Sequence, residues 1–560
     1  MADYDRNKTL YIDPAVVPTI VYSTYFGGHA QQTGPVNLEQ FGPVVNNAPI
    51  PKVAESGLDV ALDGATPPHA YITGSAYSTD LPTASFFQPN QDGTANQNPN
   101  VFIAKFDTSM SDGSSLIYAT YLGAKGNTTA LGTGDGDLGF GIAVDGNEDA
   151  YVVGQTYSGN SHSSGPDFPG VSIATGGVAG CGAWGTAGKN NGGAASTNVG
   201  FVSELLAGGD SLEYSCYIPG SENATAARVA LVPGCASDCD AYIVGSTQST
   251  AASDGFVEVN GLQTELATGE GGLSNAFMMV VGGDGAGSTP VYSTFYGGTA
   301  NGKAGDAGLG IAVASATEVA ITGLTFSGAA GGVSRIPLSA HPAQSTFLGG
   351  GNKTSMAFVA MINPTVSGSG SLTYGTYLGG SGSNNSLAGV AIGDIGTGIV
   401  IDGSNLWIAG TTASTDFPVN GVAGVNTTNP PIFNTNQPEA NVGPPATTGI
   451  ITELTPSSTA GLGQVTYSTY FGGGGLCLAN FWGAYSGLET QSAPWPNTTA
   501  SSMSPVLPHR PLGEAHSIPA AMRAKPRIPV PASRLQSKVS GPQMFPSPRS
   551  YPRSTRRRQQ

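Results

Sequence analysis

Tyr22-Ser23-Thr24-Tyr25-Phe26-Gly27-Gly28 decides the fold, because the same word returns as Tyr118 to Ala124, Tyr214 to Gly220, Tyr292 to Gly298, Tyr374 to Gly380 and Tyr467 to Gly473. The starts lie 96, 96, 78, 82 and 93 residues apart, so a constant framework is joined by connections of changing length. Outward from this word, each period holds four short apolar runs in one order, A to D. In the second period A is Gly141 to Val144, B is Ala150 to Gly154, C is Phe201 to Leu205 and D is Leu212 to Tyr217. Each has the length of a strand and is too short for a helix.

The other periods repeat the order. The first reads Leu58 to Leu62, Tyr71 to Gly74, Val101 to Phe106 and Leu116 to Leu122, and the third Val229 to Val232, Tyr242 to Gly245, Phe277 to Val281 and Val291 to Tyr296. The fourth reads Ile311 to Val313, Val319 to Gly323, Phe358 to Ile362 and Leu372 to Leu378; the fifth reads Gly398 to Ile401, Leu406 to Gly410, Ile450 to Leu454 and Val465 to Phe471. β-Branched and aromatic residues dominate the runs, and no amphipathic helix interrupts them. A four-stranded antiparallel unit repeated in this way is the sequence form of a β-propeller, whose blades bury their apolar faces against one another. The expected fold is therefore all-β, with five complete blades preceded by an orphan D strand at Val21 to Phe26 and a partial sixth blade.

Ile142-Ala143-Val144-Asp145, Ala150-Tyr151-Val152-Val153-Gly154, Thr415-Asp416-Phe417-Pro418, Val101-Phe102-Ile103-Ala104-Lys105-Phe106 and the Tyr-Ser-Thr-Tyr-Phe-Gly-Gly word resemble the SBBP-type bacterial β-propeller repeat over residues 19–475. The resemblance implies a propeller from a surface or secreted protein and supplies no catalytic residues.

Composition fits short strands joined by tight turns: Gly accounts for 83 of 560 residues and charged residues for 10%. The net charge of −16 is unevenly spread. Residues 1–477 hold 10 Lys and Arg against 35 Asp and Glu, whereas residues 478–560 hold 11 against 2. Three segments follow: an N-terminal extension (1–18), the repeat domain (19–475), and a Pro-, Ser- and Arg-rich stretch (476–560) expected to be disordered after a partial strand at Leu476 to Trp482. A basic tail binding nucleic acid, or a shifted reading frame, are the other readings of that last stretch. The reading-frame alternative stays open, and no nucleic acid is expected. No run approaches a membrane span, and no signal peptide is visible; an extracellular or cell-surface location is implied by the family resemblance.

Cys235 and Cys239 suit a small loop disulfide, with unpaired buried thiols and a metal site as the other readings; Cys181, Cys216 and Cys477 complete the five cysteines. Gly209-Asp210-Ser211-Leu212 imitates an esterase nucleophile block. Its counterparts Gly113 to Leu116 and Ser369 to Leu372 occupy the same C-to-D turn, so a polar linker explains it. Gly134, Gly136 and Gly139 spell a dinucleotide fingerprint but precede a strand instead of a helix. Asp145 to Asp149, with Asp135 and Asp137 nearby, looks like the start of a calcium loop, yet Thr156 stands where an EF-hand needs an acid. Turn chemistry is the favoured reading and a non-EF calcium site the minor one. The histidines His29, His69, His162, His341, His509 and His516 have no metal or triad spacing. No catalytic residue, metal or cofactor is expected from these motifs.

Asp80-Leu81-Pro82, Asp167-Phe168-Pro169 and Asp416-Phe417-Pro418, with Arg335-Ile336-Pro337 departing, follow strand B. The expected role is a turn whose apolar residue plugs the gap between blades; a ring of carboxylates at a channel mouth is the functional version. Long segments follow B (Ser75 to Asn100, Gln155 to Gly200, Thr411 to Gly449) and D (Gly28 to Gly57, Gly123 to Gly139), whereas A-to-B turns are short. In an up-and-down blade these long connections leave from one face. The expected function is a noncatalytic, monomeric binding or structural scaffold, taking an unidentified macromolecule or glycan on that loop-rich face. The alternative is a polysaccharide-acting propeller hydrolase or lyase.

Overall fold

The computed structural model describes residues 20–29, 55–93, 98–111, 113–126, 136–158, 168–169, 198–218, 220, 223–249, 256–264, 274–283, 290–298, 305–328, 335–349, 354–382, 393–419, 448–457 and 464–471. The chain divides into Met1–Leu507 and Pro508–Gln560, and the second unit lies wholly outside these residues.

The repeated words fold into five antiparallel sheets of four strands each, every one in the order of the chain. The first sheet holds β1 (Glu55–Leu62), β2 (His69–Ala76), β3 (Asn100–Asp107) and β4 (Leu116–Leu122). The second holds β5 (Leu138–Val144), β6 (Ala150–Thr156), β7 (Val199–Leu205) and β8 (Leu212–Ile218). The third holds β9 (Ala224–Ala230), β10 (Ala241–Thr247), β11 (Asn275–Val281) and β12 (Tyr292–Tyr296). The fourth holds β13 (Ala307–Ser315), β14 (Glu318–Thr325), β15 (Met356–Ile362) and β16 (Leu372–Leu378), and the fifth β17 (Asp394–Asp402), β18 (Asn405–Thr412), β19 (Thr448–Leu454) and β20 (Val465–Phe471). The expected all-β repeat is present. Helical structure in named elements is confined to short 3-10 turns, Gly113–Ser115 and Gly368–Ser371, leading into the fourth strands of their sheets.

The first strand of each sheet starts earlier than its apolar run, because a register shift divides it. The shift falls at Gly57/Asp59, Gly139/Gly141, Gly308/Gly310 and Gly396/Gly398, and in the third sheet opposite Val244/Gly245. Facing it on the second strand is always a glycine. A Cβ on Gly74, Gly154, Gly245, Gly323 or Gly410 would stand 1.9–2.0 Å from a carbonyl oxygen of the first strand, so only glycine admits the bulge. The third A run, expected at Val229 to Val232, is corrected to Ala224–Ala230 for the same reason: its apolar cluster marks the strand's end.

Each sheet packs on the next through its first strand, with β1 against β5, β5 against β9, β9 against β13 and β13 against β17. Apolar residues of consecutive sheets interdigitate. Tyr71, Ile103 and Tyr118 meet Ile142, Val152 and Phe201, and Tyr151, Val202 and Tyr214 meet Ile243, Phe277 and Phe295. The third and fourth sheets share a core, as do the fourth and fifth.

The first word, Tyr22 to Gly28, was expected to form a D strand at Val21 to Phe26, but it carries no strand hydrogen bonding and Ile20, Val21 and Tyr25 are exposed. It nevertheless packs on the outer face of the first sheet. Phe26 lies 5.5 Å from Phe102 and 5.3 Å from Phe106 between ring centroids, with Tyr22 6.4 Å from Phe106. Tyr118 and Leu122 cover Phe201, Leu205 and Tyr217 of the second sheet in the corresponding way. The segment therefore sits where the fourth strand of a preceding sheet would lie, without ladder partners among the described residues. Leu476 to Trp482 and the basic tail lie outside them.

Candidate functional site

One recurring set of polar residues is internal. Asp137, Asp306 and Asp394 stand at the starts of first strands and are fully buried. Asp306 accepts hydrogen bonds from the backbone N–H of Gly298 and Phe326 and from the hydroxyls of Thr325 and Ser327. Asp137 repeats this with Ala124 N–H, Thr156 and Ser158, and Asp394 with Gly380 N–H, Thr412 and Ser414. Each carboxyl thus ties the end of one sheet's fourth strand to the first and second strands of the next. Glu55 does the same for Gly28 N–H and Ser78, and in the third sheet Asn223 takes the position and pairs with Asn198 and Gln248. Burial pushes Asp137, Asp306 and Asp394 up to about 6, partly offset by the hydrogen bonds they accept. A Cβ on Gly123, Gly297 or Gly379 would collide with these carboxylates, which explains the glycines that end the word.

A second set closes the gap between sheets. Tyr121, Tyr217 and Tyr470 donate to the carbonyls of Ser78, Ser158 and Ser414 and accept from the N–H of Leu81, Phe168 and Phe417. Tyr377 donates likewise to Ser327. Leu81, Phe168, Ile336 and Phe417 are buried, so the plug reading of the Asp-apolar-Pro element holds. Asp80 and Asp416 accept from the backbone N–H of His29 and Ser381, the residues following the preceding word. Asp167 lies outside the described residues.

The remaining chemistry gathers at the opposite end of the sheets, around the short A-to-B turns. Asp145 closes the β5–β6 turn by accepting at Oδ1 from Asn147 and Asp149 N–H. This is the turn chemistry expected of it. Asp149 accepts from Ala207 N–H at 2.7 Å, and Glu204, on β7, pairs across the ladder with Tyr151 of β6. One carboxylate oxygen from each of Asp145, Asp149 and Glu204 lies within 4.8 Å of the other two. All three residues are at least nine-tenths buried, and Asp145 Oδ2 and Glu204 Oε2 have no hydrogen-bond partner among the described residues. Glu204 is pushed up to about 8, first by burial and then by the charges of Asp149 and Asp145, against the lowering influence of the Tyr151 hydroxyl. Burial also raises Asp145 and Asp149.

The third unit caps this cluster. Cys235 and Cys239 form the expected loop disulfide; Gly146 N–H donates to Cys235 carbonyl and Cys239 N–H to the Tyr151 hydroxyl, both at 3.0 Å.

The same position in the first sheet is solved differently. Asp63 holds the turn with His69, accepting from its N–H at 2.9 Å and meeting its Nδ1 at 2.6 Å. Lys105 pairs across the ladder with Tyr71 as Glu204 does with Tyr151. Its ammonium lies 2.5 Å from Glu148 and over the Tyr71 ring. In the fifth sheet Glu453 faces Trp407 and accepts from Asn405 and Thr466.

The Ser211 hydroxyl donates to Asp210 at 3.3 Å; Gly134 and Asp135 lie outside the described residues, and Gly139 lies within β5, which runs on to β6. His29 pairs with Asp80; His162, His509 and His516 lie outside the described residues. Sequence reading overlooked Asp306, Asp394 and Glu204. The first two carry a signal: Asp-x-Gly opens the strand and Thr-x-Ser closes its neighbour, as in Asp306-Ala307-Gly308 with Thr325-Phe326-Ser327. Glu204 carries none, because Lys105, Val280, Met361 and Glu453 take its place in the other sheets.

No protein-family model and no curated protein matches the chain. Among solved structures, that of Chaetomium thermophilum Sqt1 is similar over 64% of this chain and 93% of its own, at 14% identity and a TM-score of 0.17, a likeness too slight to carry an argument.

Proposed function

We propose that the five sheets are blades of an SBBP-type β-propeller acting as a noncatalytic surface or secreted scaffold that binds a macromolecule or glycan. The observation that carries this reading is the division of labour between recurring and varying positions. Recurring polar residues such as Asp306, Thr325, Ser327 and Tyr377 are consumed in holding sheets together. What varies is the length of the connections at one end, for example between β6, ending at Thr156, and β7, beginning at Val199. Antiparallel order sends the second-to-third and fourth-to-first connections out of the same end, and binding residues concentrate in such connections on a rigid frame. Successive contact of first strands supports a radial arrangement, and the Tyr22 to Gly28 segment on the outer face of the first sheet supports an incomplete sixth blade.

A hydrolase acting on polysaccharide needs converging carboxylates that substrate can reach. Asp145, Asp149 and Glu204 converge but are buried, at the end with short turns. The test is a glycan and protein array probed with residues 19–475, beside a variant whose β6–β7 connection is shortened. Binding that is lost on shortening supports the reading; polysaccharide cleavage, or no ligand for either protein, opposes it.

A further inference from the structure

The acidic cluster of the second sheet is anomalous within its own chain. In the first sheet the equivalent turn pairs its carboxylate Asp63 with the His69 imidazole, and the Lys105 ammonium of β3 reaches across to Glu148 of the β5–β6 turn. In the fifth, Asp402 of the turn is exposed and Glu453 accepts from Asn405 and Thr466. The second sheet alone of these three brings three carboxyls together with no cationic side chain paired to them among the described residues. Two of the carboxyls leave a buried oxygen without a partner. Burying an unpaired carboxylate is costly unless a proton or a cation compensates it.

We propose that Asp145, Asp149 and Glu204 bind a calcium ion, which occupies the role that Lys105 plays in the first sheet. Carboxylate oxygens alone, from three residues that converge within 4.8 Å, match a hard cation and offer no nitrogen or sulfur to attract zinc or copper. Calcium is favoured over magnesium because it accepts several carboxylates in an irregular shell, whereas magnesium keeps most of its water and demands an octahedron. Gly146 and Asn147, between two of the three carboxylates in the chain, are exposed. Its binding would fix the β5–β6 turn, on which the Cys235–Cys239 loop rests through Gly146 N–H. The site is therefore a joint between the second and third units, outside the loop-bearing end used in the scaffold reading.

The experiment uses the full chain, stripped with EDTA and dialysed. Calcium chloride titrated calorimetrically should give a saturable heat, and the melting temperature should rise with calcium and less with magnesium at equal concentration. Terbium should show emission sensitised by tyrosine, since Tyr151 adjoins the cluster, and calcium should quench it by displacement. Glu204→Gln should lose all three responses. Glu204→Lys, which copies the first sheet, should lose them as well while melting at or above the EDTA-treated parent. A parent with no calcium heat and no melting shift overturns the assignment, as does a response that survives in both variants. Magnesium acting as strongly as calcium overturns the choice of ion.

Discussion

The Tyr22 hydroxyl donates to Ser115 Oγ at 3.0 Å, the same relationship that Tyr292 of the third sheet makes with Ser371 of the fourth, also at 3.0 Å. In the second case a complete four-stranded sheet presents the tyrosine; in the first, a segment without ladder partners does. Gly28 N–H donating to Glu55 completes the correspondence with Gly298 and Asp306. Side-chain interactions that elsewhere join sheet to sheet thus hold Tyr22 to Gly28 against the first sheet.

Phe26 is the anchor of that segment, so Phe26→Ala should destabilise the repeat domain by about 1–3 kcal/mol, less than a fully enclosed phenylalanine would cost. Tyr25→Ala, at an exposed position, should change stability by no more than about 0.5 kcal/mol. Urea denaturation of both variants checks this. Equal effects would mean that the segment does not depend on Phe26 for its attachment.

Tyr217 satisfies two buried backbone groups at once, the Ser158 carbonyl and the Phe168 N–H. Removing its hydroxyl in Tyr217→Phe leaves both without this partner and should cost about 1–3 kcal/mol. The third sheet has Phe295 at this position, where the ring of Phe256 stacks 4.6 Å away and no hydroxyl bridge exists. Phe295→Tyr should therefore bring no comparable gain. A Tyr217→Phe protein as stable as the parent would show that water replaces the bridge.

What the sequence made legible, and what it did not, follows the range of the forces involved. Strands such as Ala150–Thr156 announce themselves through β-branched and aromatic residues in a short run, and their order repeats, so sheets and connectivity could be read directly. First strands were read too short because Gly139 and Gly308 interrupt the apolar pattern where the bulge forms. The acidic cluster was half visible. Asp145 and Asp149 are neighbours in the chain and signalled a turn, but Glu204 joins them only through the β6–β7 register, which no local word encodes.

The bulge glycines give a sharp contrast. In Gly154→Ala the new Cβ would stand 1.9 Å from Leu138 carbonyl oxygen, inside the ladder where neither strand can retreat, so a loss of at least about 2 kcal/mol is expected. Gly64→Ala, with nothing within 4 Å, should stay within about 0.5 kcal/mol of the parent. Thermal melts of the pair decide the matter. Similar melting temperatures would mean that the bulge can relax without glycine.

The buried carboxyls at the sheet junctions set a pH dependence whose sign is fixed by the direction of their shift. Asp306 titrates at about 6 in the folded protein against the ordinary 3.8, because burial opposes its charge more than Gly298, Phe326, Thr325 and Ser327 favour it. Between pH ~4 and ~6 the folded state then holds a proton that the unfolded chain has lost, so this contribution to stability falls as pH rises through that window and is flat above it. Asp137 and Asp394 act in the same direction. Asp63, held below its ordinary value by hydrogen bonds from His69 and Ala65 despite burial, acts oppositely, so the whole-protein curve mixes signs. Asp306→Asn isolates one component, and Asn223 already occupies the equivalent place in the third sheet. The stability difference between parent and Asp306→Asn, from denaturation midpoints, should favour the parent most at pH 4 and shrink by pH 7. A difference that stays constant, or grows with pH, would mean that Asp306 is ionised throughout and that its hydrogen bonds outweigh its burial.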